Sequence, residues 1–302
     1  MDRAAMALQR LKGPVVPINI CFNEDGSVNE EAVAGYVNWL CDQGVPVLLL
    51  TAGSSEYGGL SDKDVWSLTR TIAEVNAGRS LFVTSTRFWN TTDTRRFLAH
   101  ADQVGADAVK VQIGAMTPST RDALLTYFDL IEDASDIPLL LWTIRQPPFP
   151  VDAAAELAKR PNIIGMKNDG EQFSGYYDYI RATRDQDFAV LSGGQMRNFV
   201  FGHQLGSTGY LCTIAPFRPD LALEFYDLVV QRNYEQAWAF VFRYEEPWLQ
   251  WAIEQGWLEA IKTALHVGGH YPNNLLAPPH PLPPADLVER TRGKLQEIFG
   301  SA

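Results

Sequence analysis

The sequence predicts a (β/α)8 TIM barrel with a C-terminal helical extension. Three observations predict it. Short β-rich apolar runs alternate with longer helical patterns, there are eight such runs, and no break in composition divides the 302 residues. The runs span residues 15–22, 45–51, 80–86, 108–114, 137–143, 162–168, 188–193 and 208–213. Several are almost continuously apolar, such as Val47-Leu48-Leu49-Leu50 and Leu139-Leu140-Leu141. Parallel strands buried on both faces require this. Helical patterns follow at 29–43, 61–76, 92–104, 119–134, 151–159, 175–184 and 219–231, with Ser61 and Ser119 as N-caps. Residues 1–232 make up the expected barrel. Residues 233–302 form the expected extension, with helices at 234–253, 257–266 and 284–299 and a proline-rich connector, Pro278 to Pro284.

Composition narrows the function. The chain is 46% hydrophobic and carries a net charge of -11. It therefore lacks the basic surface that a nucleic-acid partner needs. The polar N-terminus and the absence of an apolar run of ~18 residues predict a cytoplasmic protein with no membrane partner. Its three cysteines, Cys21, Cys41 and Cys212, are dispersed and make no CxxC, which argues against a disulfide framework or a zinc site. There is no HExxH, GxGxxG, P-loop or GxSxG, so neither a metal nor a nucleotide cofactor is expected.

In such a barrel the chemistry sits where strands end. Lys167 follows Ile163-Ile164-Gly165-Met166, so its stem leaves a buried strand. Desolvation lowers an ammonium pKa, and a neutral amine can attack the carbonyl of a 2-oxo acid to form an imine. The alternative is a structural ion pair with Asp169 or Glu56. Gly53, Ser54 and Ser55 form a turn whose N–H groups and hydroxyls can hold a carboxylate, or simply a Gly-rich turn without a ligand. Gly193 and Gly194 admit close backbone approach, or a tight turn. Trp142, Thr143 and Arg145 end the fifth strand, and Arg145 and Arg87 are candidate carboxylate clamps.

These segments resemble the dihydrodipicolinate synthase and N-acetylneuraminate lyase family of class I aldolases. Asn162-Ile163-Ile164-Gly165-Met166-Lys167 is similar to that family's strand bearing the Schiff-base lysine, and the turn from Thr51 to Ser61 to its substrate-carboxylate loop. Gly105 to Val111 matches the entry to its fourth strand, and Leu191-Ser192-Gly193-Gly194 its strand-seven turn. Ala260 to Leu265, with Gly268-Gly269 and Pro278-Pro279, is similar to its C-terminal region. The resemblance implies an imine on Lys167, with Ser54 and Ser55 beside it. Gly53, Trp142, Thr143, Arg145, Gly193 and Gly194 would contact the substrate, and the chain would form a homodimer or homotetramer.

Three departures stand against it. The family's proton-relaying tyrosine at the end of strand five is replaced by Trp142, whose indole N–H donates but cannot shuttle a proton. The double-tyrosine motif after strand four is absent from Ile113 to Pro118, and Gly53 stands where the hydroxyl loop usually begins with Thr or Ser. The expected function is therefore a Schiff-base lyase, aldolase or dehydratase acting on an unusual 2-oxo acid. The alternative is a homologue that binds such a molecule without turnover.

Overall fold

The structure, a computed structural model, describes residues 2–113, 120–144, 148–170 and 173–300. Eight parallel strands close a barrel in sequence order. They are β1 (Gly13–Pro17), β2 (Val47–Leu49), β3 (Leu81–Ser85), β4 (Ala108–Lys110), β5 (Leu139–Thr143), β6 (Ile163–Asn168), β7 (Ala189–Ser192) and β8 (Gly209–Tyr210). Closure is made by β8 against β1, where Gly13 pairs with Gly209. All eight expected strands form. The crossovers are α2 (Glu30–Asp42), α3 (Asp62–Asn76), α4 (Thr91–Gln103), α5 (Arg121–Ile131), α6 (Val151–Leu157), α7 (Phe173–Thr183) and α8 (Gln195–His203), and α9 (Pro219–Val230) follows β8.

Apolar side chains separate into two clusters, as alternation along strands demands. Val15, Val47, Leu49, Val83, Ala108, Leu140, Ile164, Ala189 and Leu191 fill the barrel interior. The opposite faces pack against the helix ring, with Val16, Leu48, Val109, Leu141, Met166 and Val190 buried there. A helix absent from the sequence reading, α1 (Arg3–Arg10), adds Ala7, with Leu11 after it, to the interior cluster. Its mean polarity hides one apolar stripe.

The first run pairs as a strand only to Pro17. Residues 18–22 stay buried beyond the strand, and the C-terminal extension takes three of their carbonyls. Tyr271 donates to Asn19 O, Lys262 to Ile20 O and Asn273 to Phe22 O, the last at 3.0 Å. The extension comprises α10 (Tyr234–Phe240), α11 (Glu246–Gln255), α12 (Trp257–Val267) and α13 (Leu287–Phe299). The helix expected over 234–253 is divided by a π-helical turn at Val241–Glu245. That turn carries Glu245, whose carboxylate accepts from the backbone N–H groups of Met196 (2.6 Å) and Arg197 (3.1 Å) at the start of α8. A π turn at such a junction re-aims a side chain without ending the helix.

Candidate active site

The pairing of β6 determines which way Lys167 points. Leu139 pairs with Ile163 and Leu140 with Gly165, so the register slips by one residue at Ile164. Ile164 and Lys167 would face opposite sides of a regular strand. The slip sets Ile164 in the interior cluster and places Lys167 beside Leu191, also an interior residue. Gly165 permits this, since a Cβ there would lie 2.6 Å from the Ala189 carbonyl oxygen.

At the barrel mouth Lys167 and Asp169 meet. They are two residues apart on one strand end, hence on one face. Lys167 Nζ contacts both carboxylate oxygens of Asp169. Trp142, paired with Lys167 across β5 and β6, donates its indole N–H to Asp169 Oδ2 at 2.6 Å. Burial pushes the Asp169 carboxyl up, but the Lys167 ammonium, the indole N–H and Lys110 outweigh it and hold the group below its ordinary range. Asp169 is admitted by Gly193, where a Cβ would overlap Asp169 Oδ1 and the carbonyl oxygen of Asn168.

These residues open on a cavity of about 170 Å3. Gly53, Ser54, Trp142, Lys167, Asp169 and Gly193 line it, together with Thr51, Cys212 and Thr213. The extension adds Trp257, the first residue of α12, and Gln195 contributes from the left-handed region with φ 73°. A non-glycine residue there is strained by roughly 1–3 kcal/mol, a cost concentrated at functional sites. Cys212 is no nucleophile, because burial, with Glu245 nearby, pushes its thiol up to about 12.

Other expected residues are placed elsewhere. Ser55 is fully buried, donates to Ile18 O and accepts from Thr51 N at 3.0 Å, so it locks the turn and does not line the cavity. Thr143 follows Trp142 and therefore faces the helix ring, where its hydroxyl accepts from Phe149 N at 2.9 Å. Gly194 caps α8, and a Cβ there would strike Asn198. Arg87 is held at 2.8 Å by Asp62 and by Leu60 O. Arg145 lies outside the described residues. Among those described, no group of three or more His, Cys, Asp or Glu is placed to hold a metal, and no helix is long and apolar enough to cross a membrane.

Besides Gln195, three residues in or below the cavity wall are not among the expected site residues. Asp169 enters the sequence only as an ion-pair partner for Lys167, and Trp257 comes from outside the barrel. The third is Lys110 at the end of β4, fully buried, with its Nζ 4.4 Å from the centroid of the Trp142 ring. Its signal was alternation: Ala108 faces the interior, so Lys110 does also.

Comparison with known proteins places this geometry. The model described as the dihydrodipicolinate synthetase family matches residues 10–296. An uncharacterised DapA-like lyase of Thermococcus kodakarensis is 27% identical over 301 residues, covering 96% of this chain and 100% of the relative. The crystal structure of N-acetylneuraminate lyase from Fusobacterium nucleatum has a TM-score of 0.87 at 14% identity, covering 96% of this chain and 99% of that one. A prophage protein of the dihydrodipicolinic acid synthase family from E. coli K12, solved in complex with pyruvate, has a TM-score of 0.84 at 20% identity. That match covers 96% of this chain and 99% of the other.

Proposed function

The chain belongs to the dihydrodipicolinate synthetase family, and from that membership and the site we propose a Schiff-base-forming lyase acting on a 2-oxo acid. Lys167 is the nucleophile. The substrate is pyruvate or a 2-oxo-3-deoxy sugar acid, cleaved by a retro-aldol step or dehydrated. The observation that carries the reading is the contact of Lys167 with Asp169 at the cavity wall.

Attack requires a neutral amine, and Asp169 is the acceptor already in contact with the ammonium proton. It thereby fills the role left open by Trp142. The indole N–H fixes the carboxylate and cannot itself exchange a proton. Gly53 and Ser54 receive the substrate carboxylate. The small cavity supports a compact acid, since sites for drug-sized ligands run to ~300 Å3 and more. As the pyruvate-bound relative is similar in fold, pyruvate is the first ligand to test. We also place the protein in the cytoplasm as a homodimer or homotetramer, which light scattering on the purified chain tests.

The deciding experiment is borohydride reduction in the presence of pyruvate, read by intact mass. The expected result is one reduced adduct that maps to Lys167 and disappears in Lys167→Ala. The Lys167–Asp169 ion pair also favours a second reading, a binding protein in which that pair is permanently locked. Pyruvate binding by calorimetry without any adduct would select it.

A further inference from the structure

Part of the cavity wall is held from outside the barrel. Gln195 lines the cavity and stands at φ 73°, a backbone conformation that side chains other than Gly and Asn seldom adopt. Such a conformation persists only where its surroundings over-determine it. Two contacts do so here. The Oε1 of Gln195 accepts from Thr213 N at 3.2 Å, which ties the side chain to the segment after β8. The next two backbone N–H groups, of Met196 and Arg197, donate to the two carboxylate oxygens of Glu245 at 2.6 and 3.1 Å. Glu245 and Met196 have no exposure, so the carboxylate stands where solvent would otherwise serve this end of α8. With its oxygen held, the Gln195 carboxamide presents its N–H2 group, a donor without a protein acceptor among the described residues. The charged and titratable groups around Glu245 are Arg197 on α8, Glu246 at the start of α11, and Tyr210 and Cys212 at the end of β8. The Arg197 guanidinium is directed to Glu246, at 3.2 Å. Burial pushes the Glu245 carboxyl up to about 7, against the pull of the two N–H groups.

We propose that Glu245 is a positioning residue of the cavity: by gripping Met196 and Arg197 it holds Gln195 in its left-handed conformation, with the carboxamide N–H2 aimed at an oxygen of the bound 2-oxo acid. The inference rests on the reading of the cavity as a 2-oxo acid site. Glu245 does not line the cavity and acts through Gln195. The ionised carboxylate accepts from both N–H groups, whereas the neutral acid turns one oxygen into a donor and keeps one good acceptor. Ligand binding therefore tightens as Glu245 ionises. Its contribution to stability falls over the same range, because the raised folded value favours the neutral form in the folded chain. The extension thus sets the geometry of the wall at a cost in stability.

The test is calorimetric titration of the full chain with pyruvate at pH 6 and pH 8.5, in wild type, Glu245→Gln, Gln195→Gly and the double variant. Calorimetry reads binding with or without imine formation. At pH 8.5 each of the three variants is expected to bind about fivefold more weakly than wild type. The double variant is expected to be no weaker than either single one, because both substitutions remove the same contact. At pH 6, where Glu245 is mostly protonated, all four are expected to bind alike. Titration of Lys167 affects all four equally and cancels in the ratios. Gln195→Gly is expected to melt no lower than wild type, since the strain released offsets the added freedom of the unfolded chain. A glutamine with a merely structural role would lower melting and leave binding unmoved. Losses that add in the double variant, unchanged affinity in Gln195→Gly at pH 8.5, or a gap that persists at pH 6 would each overturn the proposal. Absence of pyruvate binding in the wild type defeats the 2-oxo acid reading instead, so the two failures are distinguishable. If Glu245→Gln does not fold, wild type against Gln195→Gly decides, and an affinity ratio that is the same at the two pH values overturns the role of Glu245.

Discussion

The molecule contains two lysine–carboxylate pairs at the same end of the barrel, and they are built in opposite ways. Lys262 on α12 meets Glu56 Oε1 at 2.8 Å, with side-chain exposures of 0% and 2%. Lys262 also donates to Ile20 O and lies over the Phe22 ring at 4.5 Å. The second oxygen of Glu56 accepts from Ala277 N at 2.8 Å. This network binds the β2 turn to the extension and holds Glu56 at φ 52°. Lys167 and Asp169 have exposures of 8% and 28% and a cavity in front of them. The first pair has its polar atoms occupied by protein and fixes a shape. The second faces a cavity that leaves room for a ligand.

The largest test of this contrast is to break the closed pair. Lys262→Met leaves Glu56 buried without its cation and is expected to cost about 3–5 kcal/mol in urea unfolding, with most of the loss recovered in Lys262→Met/Glu56→Gln. A single-variant loss below 1 kcal/mol would remove the distinction between the pairs.

Glu245 offers a carboxylate with backbone donors and, among the described residues, no contacting cation. Burial pushes its carboxyl up from 4.5 to about 7. A raised folded value means that its stabilisation is present below pH 4.5 and is lost as pH rises to about 7. Between those limits wild type is expected to lose on the order of 3 kcal/mol relative to Glu245→Gln. Parallel pH dependences of melting for the two proteins would contradict this.

At the open pair, Asp169→Asn can keep an acceptor for the Trp142 N–H while removing the base. Trapping at Lys167 is expected to slow by about 100-fold with little change in melting temperature. An unaltered rate would reduce Asp169 to a counter-ion. The smallest effect expected is that of Gly193→Ala, where the added methyl meets Asp169 Oδ1 and the Asn168 carbonyl oxygen and slows trapping by about tenfold.

The barrel was legible because strands buried on both faces write themselves as apolar runs, as in Val47 to Leu50. Lys167 was legible because a lysine closing such a run is conspicuous. What stayed hidden depended on facing and on distant packing. Thr143 and Ser55 carry the right chemistry on the wrong face, and their hydroxyls are consumed by Phe149 N, Thr51 N and Ile18 O. Lys110 is one strict alternation from Ala108, but a three-residue strand gives that rule little to count. Trp257 reaches the cavity from α12, and no periodicity within the barrel encodes where an appended helix begins.

The one-residue slip in β6 uncouples two demands on a single strand. The lower half supplies a plug, Ile164, and the upper half the cavity-lining Lys167, yet three positions separate them and a regular strand turns such positions to opposite sides. The extra residue works as a phase shifter. Removing Ile164 would keep the hydrophobic composition almost intact while aligning the strand's two halves, so that either the filling or the amine must rotate into the helix layer. The presence of Lys167 in the cavity wall therefore depends on strand parity as well as on the residue type.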